Sequence, residues 1–375
     1  MAKNKNRRRE TSSPAVTVAE KIPLVSVIIP MYNASRFISQ TLESLLYQTM
    51  QDFEVVVIDD CSTDKSVKVV ESFSEKFGGR LHVIKLPQNS EKPAIPRNAG
   101  IRFARGKYIV FLDSDDLFTK TALEEWATLA EEFQADVVHN DEFYFFDNEK
   151  LPSATTEELM NTENLNLLSC RNADSPRLQT ATDEPHDLAE RVQLLINSDF
   201  HWAMWDLFCR RDFLIENLLE CPNIKVGEDL FLNFACLCLS KKLLRIPNVT
   251  YIYRQRADSV SHEGTDLEKF FHKWLVGLNV GFNEFERFMN KIPFFNEHTD
   301  YRYAVLNWYF NLMIRNAWQF QSAYSQVHPA ALNPLVQKEF HSDDAAFASY
   351  LFDKVNIQRL QIMQLQAELR KFQQQ

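Results

Sequence analysis

The sequence predicts an α/β fold built on a largely parallel sheet and followed by an all-helical region. Three observations carry that prediction. From Leu24 onward, apolar runs alternate with amphipathic segments, the pattern of successive βαβ units. Three of the apolar runs end abruptly in polar clusters, Pro30-Met31-Tyr32-Asn33, Asp59-Asp60-Cys61-Ser62-Thr63-Asp64 and Asp113-Ser114-Asp115-Asp116, and the carboxyl ends of parallel strands are where such sheets bind ligands. After about residue 265 only helical spacing remains.

In chain order, Val25–Ile29 reads as a strand stopped by Pro30, and Ser35–Tyr47 as a helix with Phe37, Ile38, Leu42, Leu45 and Leu46 on one face. Glu54–Ile58 is a second strand. A helix from about Asp64 turns Val67, Val70 and Phe73 inward and ends at Gly78-Gly79. Leu81–Ile84 is a third strand, Ala94–Ala104 a helix, Tyr108–Leu112 the central strand and Ala122–Phe133 a further helix. Strands are expected at Asp136–Asn140 and Glu142–Phe146. From Asp147 to about Asp187 the composition turns to Asn, Thr, Ser, Glu and Pro, which reads as a polar insertion forming a surface loop. Helical periodicity resumes over His186–Ile196, and Tyr251–His262 reads as a last strand with a basic loop behind it. Leu267, Phe270, Phe271, Trp274, Leu278, Phe282 and Phe285 then repeat at helical spacing, and Tyr301–Phe320 is an aromatic-rich helix. In the tail, Val355, Gln358, Ile362, Leu365, Leu369 and Phe372 step by threes and fours as in a short heptad seam, so a dimer or small homo-oligomer joined through this C-terminal helix is expected, the alternative being a helix laid back on the second domain.

The central strand fixes where the chemistry should lie. Side chains two apart on an extended segment share a face, so Asp113 and Asp115 can converge. Two hard oxygen donors, completed by water and phosphate oxygens, suit Mg²⁺ or Mn²⁺ bound with a diphosphate. Acidic triplets also cap helices, and Asp116 can serve in that way. Neither G-x-G-x-x-G nor G-x-x-x-x-G-K-[ST] occurs in the turns, so a dinucleotide fingerprint and a P-loop are both excluded as phosphate cradles. Asp60 reads either as an Asx turn or as the acceptor for a nucleotide base N–H, with Tyr32 packed nearby.

A net charge of −10 argues against nonspecific nucleic-acid binding, although Lys3, Lys5, Arg7, Arg8 and Arg9 make the first 22 residues a basic tail. That tail reads as a disordered, solvated arm. Peripheral contact with anionic lipid at the inner face of a membrane is its second reading. No apolar run approaches the roughly 20 residues that cross a bilayer, and no secretory leader is evident, so a cytoplasmic protein is expected. The six cysteines show no C-x-x-C pair and no zinc spacing, which reads as reduced thiols.

The segments V-S-V-I-I-P-M-Y-N (25–33), I-D-D-C-S-T-D (58–64), P-R-N-A-G (96–100) and F-L-D-S-D-D (111–116) resemble the ordered motifs of family 2 glycosyltransferases of the GT-A fold, with their Rossmann-like mixed sheet. The resemblance is strong over residues 23 to 146, continues more weakly to about 262, and departs at Cys61, where the family usually has Gly. It implies a GT-A domain over 23–262, interrupted at 147–187, then a helical domain over 263–345 and the terminal helix over 346–375. It further implies that Pro30, Tyr32, Asn33 and Asp60 hold the base and ribose, with Arg97, Asn98, Asp113 and Ser114 also at the nucleotide sugar. Asp115, with Asp113 and His262, would hold Mn²⁺ or Mg²⁺. Val226-Gly227-Glu228-Asp229-Leu230-Phe231 resembles the family's acidic motif. Without that resemblance, Glu228-Asp229 reads as an acidic pair favoured at a helix N-terminus by about 0.3–1 kcal/mol. Adjacent helical residues point about 100° apart, so one carboxylate faces the sugar, and Asp229 is the expected general base. Glu228 would then touch the acceptor or orient the motif, and Trp205 would touch the acceptor, although Trp205 and Trp202 also read as core aromatics. Arg254 and Arg256 read either as phosphate contacts or as solvated side chains.

The function these readings imply is metal-dependent, inverting transfer of a sugar from a nucleotide-diphosphate sugar, UDP-sugar by family frequency, to a hydroxyl of a glycan or glycoconjugate. The rivals are a nucleotidyltransferase, which usually has a basic, Gly-rich first turn, and a non-catalytic nucleotide-sugar-binding scaffold.

Overall fold

The computed structural model of the protein describes residues 21–169, 178–197, 200–224, 226–256 and 277–317, together with Leu365. Strands β1 (Val25–Met31), β2 (Phe53–Asp59), β3 (Leu81–Lys85) and β4 (Tyr108–Phe111) come first, joined by helices α1 (Ile38–Leu46), α2 (Ser66–Glu71), α3 (Ser74–Phe77) and α4 (Ala94–Phe103). They pair in parallel in the order β3-β2-β1-β4, the outcome of right-handed βαβ crossovers. Buried on both faces, β1, β2 and β4 are apolar runs, not alternating ones. Gly78 ends α3 in the left-handed conformation at φ 56°, as its position in the sequence predicts.

Beyond β4 the chain places β5 (Leu117–Phe118), α5 (Ala122–Phe133), β6 (Val137–Asn140) and β7 (Glu142–Asp147). The segment expected as a loop holds more structure than its composition suggests. It contains α6 (Thr156–Met160), β8 (Asn166–Ser169) and β9 (Thr182–Asp183). Thr155 and Glu158 close a capping box on α6, and β8 pairs antiparallel with β7. After α7 (Leu188–Ile196), β10 (Leu207–Arg210) inserts antiparallel between β4 and β6. Helices α8 (Arg211–Glu216) and α9 (Glu228–Leu239) and strands β11 (Leu243–Ile246) and β12 (Tyr251–Gln255) follow. The large sheet runs β3-β2-β1-β4-β10-β6-β11-β9, and a second sheet runs β5-β12-β7-β8.

Strand alternation sorts the core into two layers. Val25, Val27, Ile29, Val55 and Val57 pack with α1 and α5 on one face. Ile28, Ile109, Phe111 and Val137 face the other way, into a cluster shared with α7, α9 and the C-terminal helices α10 (Gly277–Met289), α11 (Pro293–Glu297) and α12 (Thr299–Ala317). The described part of the C-terminal helical region is therefore one side of the sheet's own core. The heptad seam lies outside the described residues apart from Leu365, which is helical and exposed. No described helix is long and apolar enough to cross a membrane.

Candidate active site

The turns after β1 and β2 are knitted together by backbone and Asn side-chain bonds. Asp60 N–H donates to the Met31 carbonyl at 2.8 Å. Asn33, in the left-handed region at φ 49°, accepts from Thr63 N–H at 2.8 Å through its side-chain oxygen, and its own N–H donates to Ser62 Oγ at 3.0 Å. Pro30 lies within β1 beside Ile58, and Tyr32 stands half-exposed at the mouth. Cys61 occupies the left-handed region at φ 63°, the conformation that favours the Gly its family motif usually carries. Asp60 is buried, and its carboxylate accepts from Ser90 N–H at 3.0 Å and Ser90 Oγ at 2.8 Å. Ser90 lies in the loop before α4, and no local pattern in the sequence marks it.

The third turn is organised from a distance. Asp116, expected as a cap, is fully buried and accepts from Tyr251 Oη at 2.6 Å and Arg254 N–H at 2.7 Å. Burial first, then the charges of Asp115 and Asp113, raise its carboxyl well above the usual range. Arg254 was expected on phosphate or in solvent and does neither. It is buried, donating from Nε to the Asp115 carbonyl at 2.6 Å, from Nη1 to Asn148 at 2.9 Å and from Nη2 to Gln40 at 2.7 Å, so its guanidinium is consumed in joining β12 to the acidic turn. Ser114 contributes its carbonyl to Thr41 Oγ1 at 3.1 Å. Asp113 and Asp115 are left facing the crevice with side chains 27% and 21% exposed, and Arg256 pairs with Asp115 at 2.6 Å. Burial raises the Asp115 carboxyl and Arg256 opposes the rise.

Arg97 connects this turn to the acidic motif. Rooted on α4 and buried, it donates to Asp113 Oδ1 at 3.2 Å and pairs with Glu228, the first residue of α9. Burial opposes its charge, but Asp113 and Glu228 outweigh that cost and raise its pKa. Asn98 uses both polar ends of its side chain on the Cys221 backbone, each at 2.8 Å, and so fixes the loop that leads to α9. Gly227 caps α9 at φ 94°, a conformation that turns the chain sharply into the helix.

Glu228 is buried against Arg97, while Asp229 stays half-exposed, accepting Leu230 N–H at 2.8 Å on one oxygen. Burial, then the charge of Asp229, pushes the Glu228 carboxyl up to about 8, and burial likewise raises Asp229 against the pull of Arg97. One helix start thus presents two neighbouring carboxylates whose titrations affect each other. Trp205 is half-buried against the core. It stacks on Tyr251 at 4.8 Å and Tyr253 at 5.6 Å, so its ring braces β12. His262 lies outside the described residues.

Asp113 and Asp115 carry the hard oxygens that suit a divalent cation, but each is shared with an arginine, Arg97 on Asp113 and Arg256 on Asp115, and no group of three metal-ligating side chains converges among the described residues. An ion held there would take its remaining ligands from water and a bound phosphate.

Residues 26–178 match the family model described as Glycosyl transferase family 2. Relatives include the EpsJ glycosyltransferase of Bacillus subtilis (strain 168), 29% identical over 243 residues that cover 64% of this chain and 63% of that protein. The poly(ribitol-phosphate) beta-glucosyltransferase of Bacillus spizizenii is 40% identical over 115 residues, 30% of this chain and 18% of that protein. The poly(ribitol-phosphate) beta-N-acetylglucosaminyltransferase TarS of Staphylococcus aureus (strain Mu50) is 41% identical over 115 residues, 30% of this chain and 20% of that protein. This chain therefore spans less than two thirds of each of these relatives. Among solved structures, S. aureus TarS 1-349 in complex with UDP superposes with a TM-score of 0.55 at 22% identity, covering 82% of this chain and 78% of that one. The same protein in complex with UDP-GlcNAc gives 0.52 at 24%, covering 68% and 66%. At these identities the likeness is one of fold, and it agrees with the GT-A architecture and helical C-terminal region expected from the sequence.

Proposed function

From the family 2 glycosyl transferase domain that residues 26–178 form, we propose that the chain is an inverting glycosyltransferase. It would move a sugar from a nucleoside-diphosphate sugar, a UDP-sugar by analogy with the TarS complexes, to a hydroxyl of a glycan or glycoconjugate. The observation that carries this reading is the Arg97 bridge, which brings the acidic turn after β4 and the start of α9, far apart in sequence, to one crevice.

In this reading, the turns after β1 and β2 receive the nucleotide, with Asp60 and Tyr32 at the base. Asp113 and Asp115 would hold Mn²⁺ or Mg²⁺, and such an ion offsets charge building on the leaving diphosphate. Asp229 takes the proton from the acceptor hydroxyl. The acceptor oxygen forms its bond to the anomeric carbon from the face opposite the bond to phosphate, which breaks and releases the nucleoside diphosphate with inversion. Glu228 does not compete for the role of base because Arg97 holds it.

Two variants separate the steps. Asp229→Asn removes a general base worth roughly 10²–10⁴-fold and is expected to lower turnover by that factor while leaving UDP-sugar binding intact. Asp115→Ala is expected to lose metal-dependent donor binding, followed by thermal shift with a panel of nucleotide sugars. Near-normal turnover in Asp229→Asn would remove this residue from the mechanism.

A further inference from the structure

The acidic motif rests against the C-terminal helices at one tightly packed point. Gly227 lies one residue before Glu228, and a Cβ placed there would meet Tyr309 Oη at 3.5 Å and Met313 Sδ at 3.6 Å, both on α12. A Cβ on Gly277, the first residue of α10, would lie 3.7 Å from the Val226 carbonyl. Tyr309 is fully buried, its hydroxyl donates to the Gly277 carbonyl at 3.2 Å, and its ring packs on Phe285 at 4.7 Å. Gly281 is where α10 admits this phenol, since a Cβ there would stand 2.0 Å from Tyr309 Oη and 2.7 Å from Cζ. Burial raises the phenol's pKa, and the charges of Asp229 and Glu228 add to the rise, which keeps Tyr309 a neutral donor beside the acidic pair.

We propose that Tyr309, seated in the Gly281 notch and bonded to the Gly277 carbonyl, is a positioning residue that backs the turn at Gly227 and so sets the α9 N-terminus and Asp229. The inference rests on the proposed role of Asp229. Its physical logic is that Gly227, buried and in the left-handed region, leaves only about a methyl's room between the turn and Tyr309 and Met313, so a rigid phenol limits where the turn can sit. A misplacement of about 1 Å at a reacting group can cost roughly 10²-fold in rate. On this view the C-terminal helices do more than fill the core.

The test uses the full chain with Gly281→Ala, Tyr309→Phe and the double variant. Steady-state kinetics against donor would be read together with hydrogen exchange of the amides of residues 227–232. Gly281→Ala drives a methyl into the phenol, so kcat is expected to fall tenfold or more with donor KM unchanged and with faster exchange confined to residues 227–232. Tyr309→Phe alone removes the bond to the Gly277 carbonyl and should lower kcat by less than Gly281→Ala; because it also removes the closest clash, the double variant should recover towards Tyr309→Phe and not to the wild type. An unchanged kcat in Gly281→Ala, or a fall in kcat accompanied by a risen donor KM and faster exchange throughout the sheet, would reduce Tyr309 to ordinary packing. If the wild type transfers no sugar from any donor while Gly281→Ala still speeds exchange at 227–232 alone, the placement of α9 by Tyr309 stands and the assigned activity falls.

Discussion

Between the turns after β1 and β2 and the acidic segments that meet at Arg97 and Asp116, the contrast lies in what holds each side chain in place. The first region is fixed by its own neighbours. Parallel strands align the carboxyl ends of β1 and β2, and Asn33, Ser62 and Thr63 tie the two turns that this pairing sets side by side. The second region is fixed by buried charge. Asp116 depends on Tyr251 and the Arg254 backbone, and Asp113 and Glu228 meet only because Arg97 stands between them. A site fixed by backbone topology should tolerate changes of side chain, whereas one fixed by an ion triad should not.

The largest expected effect breaks the second region alone. Arg97→Met keeps much of the side chain's volume and leaves Asp113 and Glu228 facing each other without a cation. Removing one partner of a buried ion pair typically costs about 3–5 kcal/mol. We expect a loss of that order in denaturant unfolding, unless the two carboxyls take up protons, in which case the loss shrinks as pH falls. A loss below about 1 kcal/mol at neutral pH would show that the triad does not hold the crevice together.

A smaller effect concerns titration. If Asp229 is the base, as proposed, it acts when ionised, so transfer should fall as pH drops through its pKa. That limb should lie above the ordinary carboxylate range because burial raises both groups. Because the charge of Asp229 raises Glu228, Asp229 ionises first and Glu228 is still neutral as Asp229 titrates. Glu228→Gln, which mimics that neutral carboxyl, should therefore leave the acidic limb of the pH–rate profile in place. A limb that moves to lower pH would mean that Glu228 ionises first and that its charge governs Asp229.

The same contrast explains what the sequence reveals. β1, β2 and β4 are legible because a strand buried on both faces must be an apolar run, and α5 because its amphipathic pattern spans Ala122–Phe133. β10 and β11 escape notice because each is four residues long, too short for periodicity to separate from a buried helix or loop. The polar insertion hides a strand because β8 is exposed along its whole length and carries no buried face to betray it. In the site, the acidic turns are visible as residue types, but their partners are not. Ser90 for Asp60, Tyr251 for Asp116 and the link from Arg97 to Glu228 join positions whose spacing carries no local signal. Arg254 is the sharpest case, since a charged residue at the end of an apolar strand looks solvated until the groups it bonds are known.

The smallest effect tests the claim that the first region is carried by its backbone. Cys61 is exposed and sits at φ 63°, where a residue with a Cβ costs roughly 1–2 kcal/mol relative to its favoured conformations. Glycine relieves that cost but gives back about 0.5–1 kcal/mol through the greater freedom of the unfolded chain. Cys61→Gly should therefore stabilise the protein by about 0–1.5 kcal/mol, the difference of these two terms. The donor KM should stay unchanged, because the bonds from Asn33 to residues 62–64 use backbone and side-chain groups other than the thiol. Chemical denaturation with and without the change reads the first quantity and steady-state kinetics the second. A destabilised variant with a raised donor KM would show that the thiol itself shapes the turn, and the first region would then depend on its side chains as the second depends on Arg97.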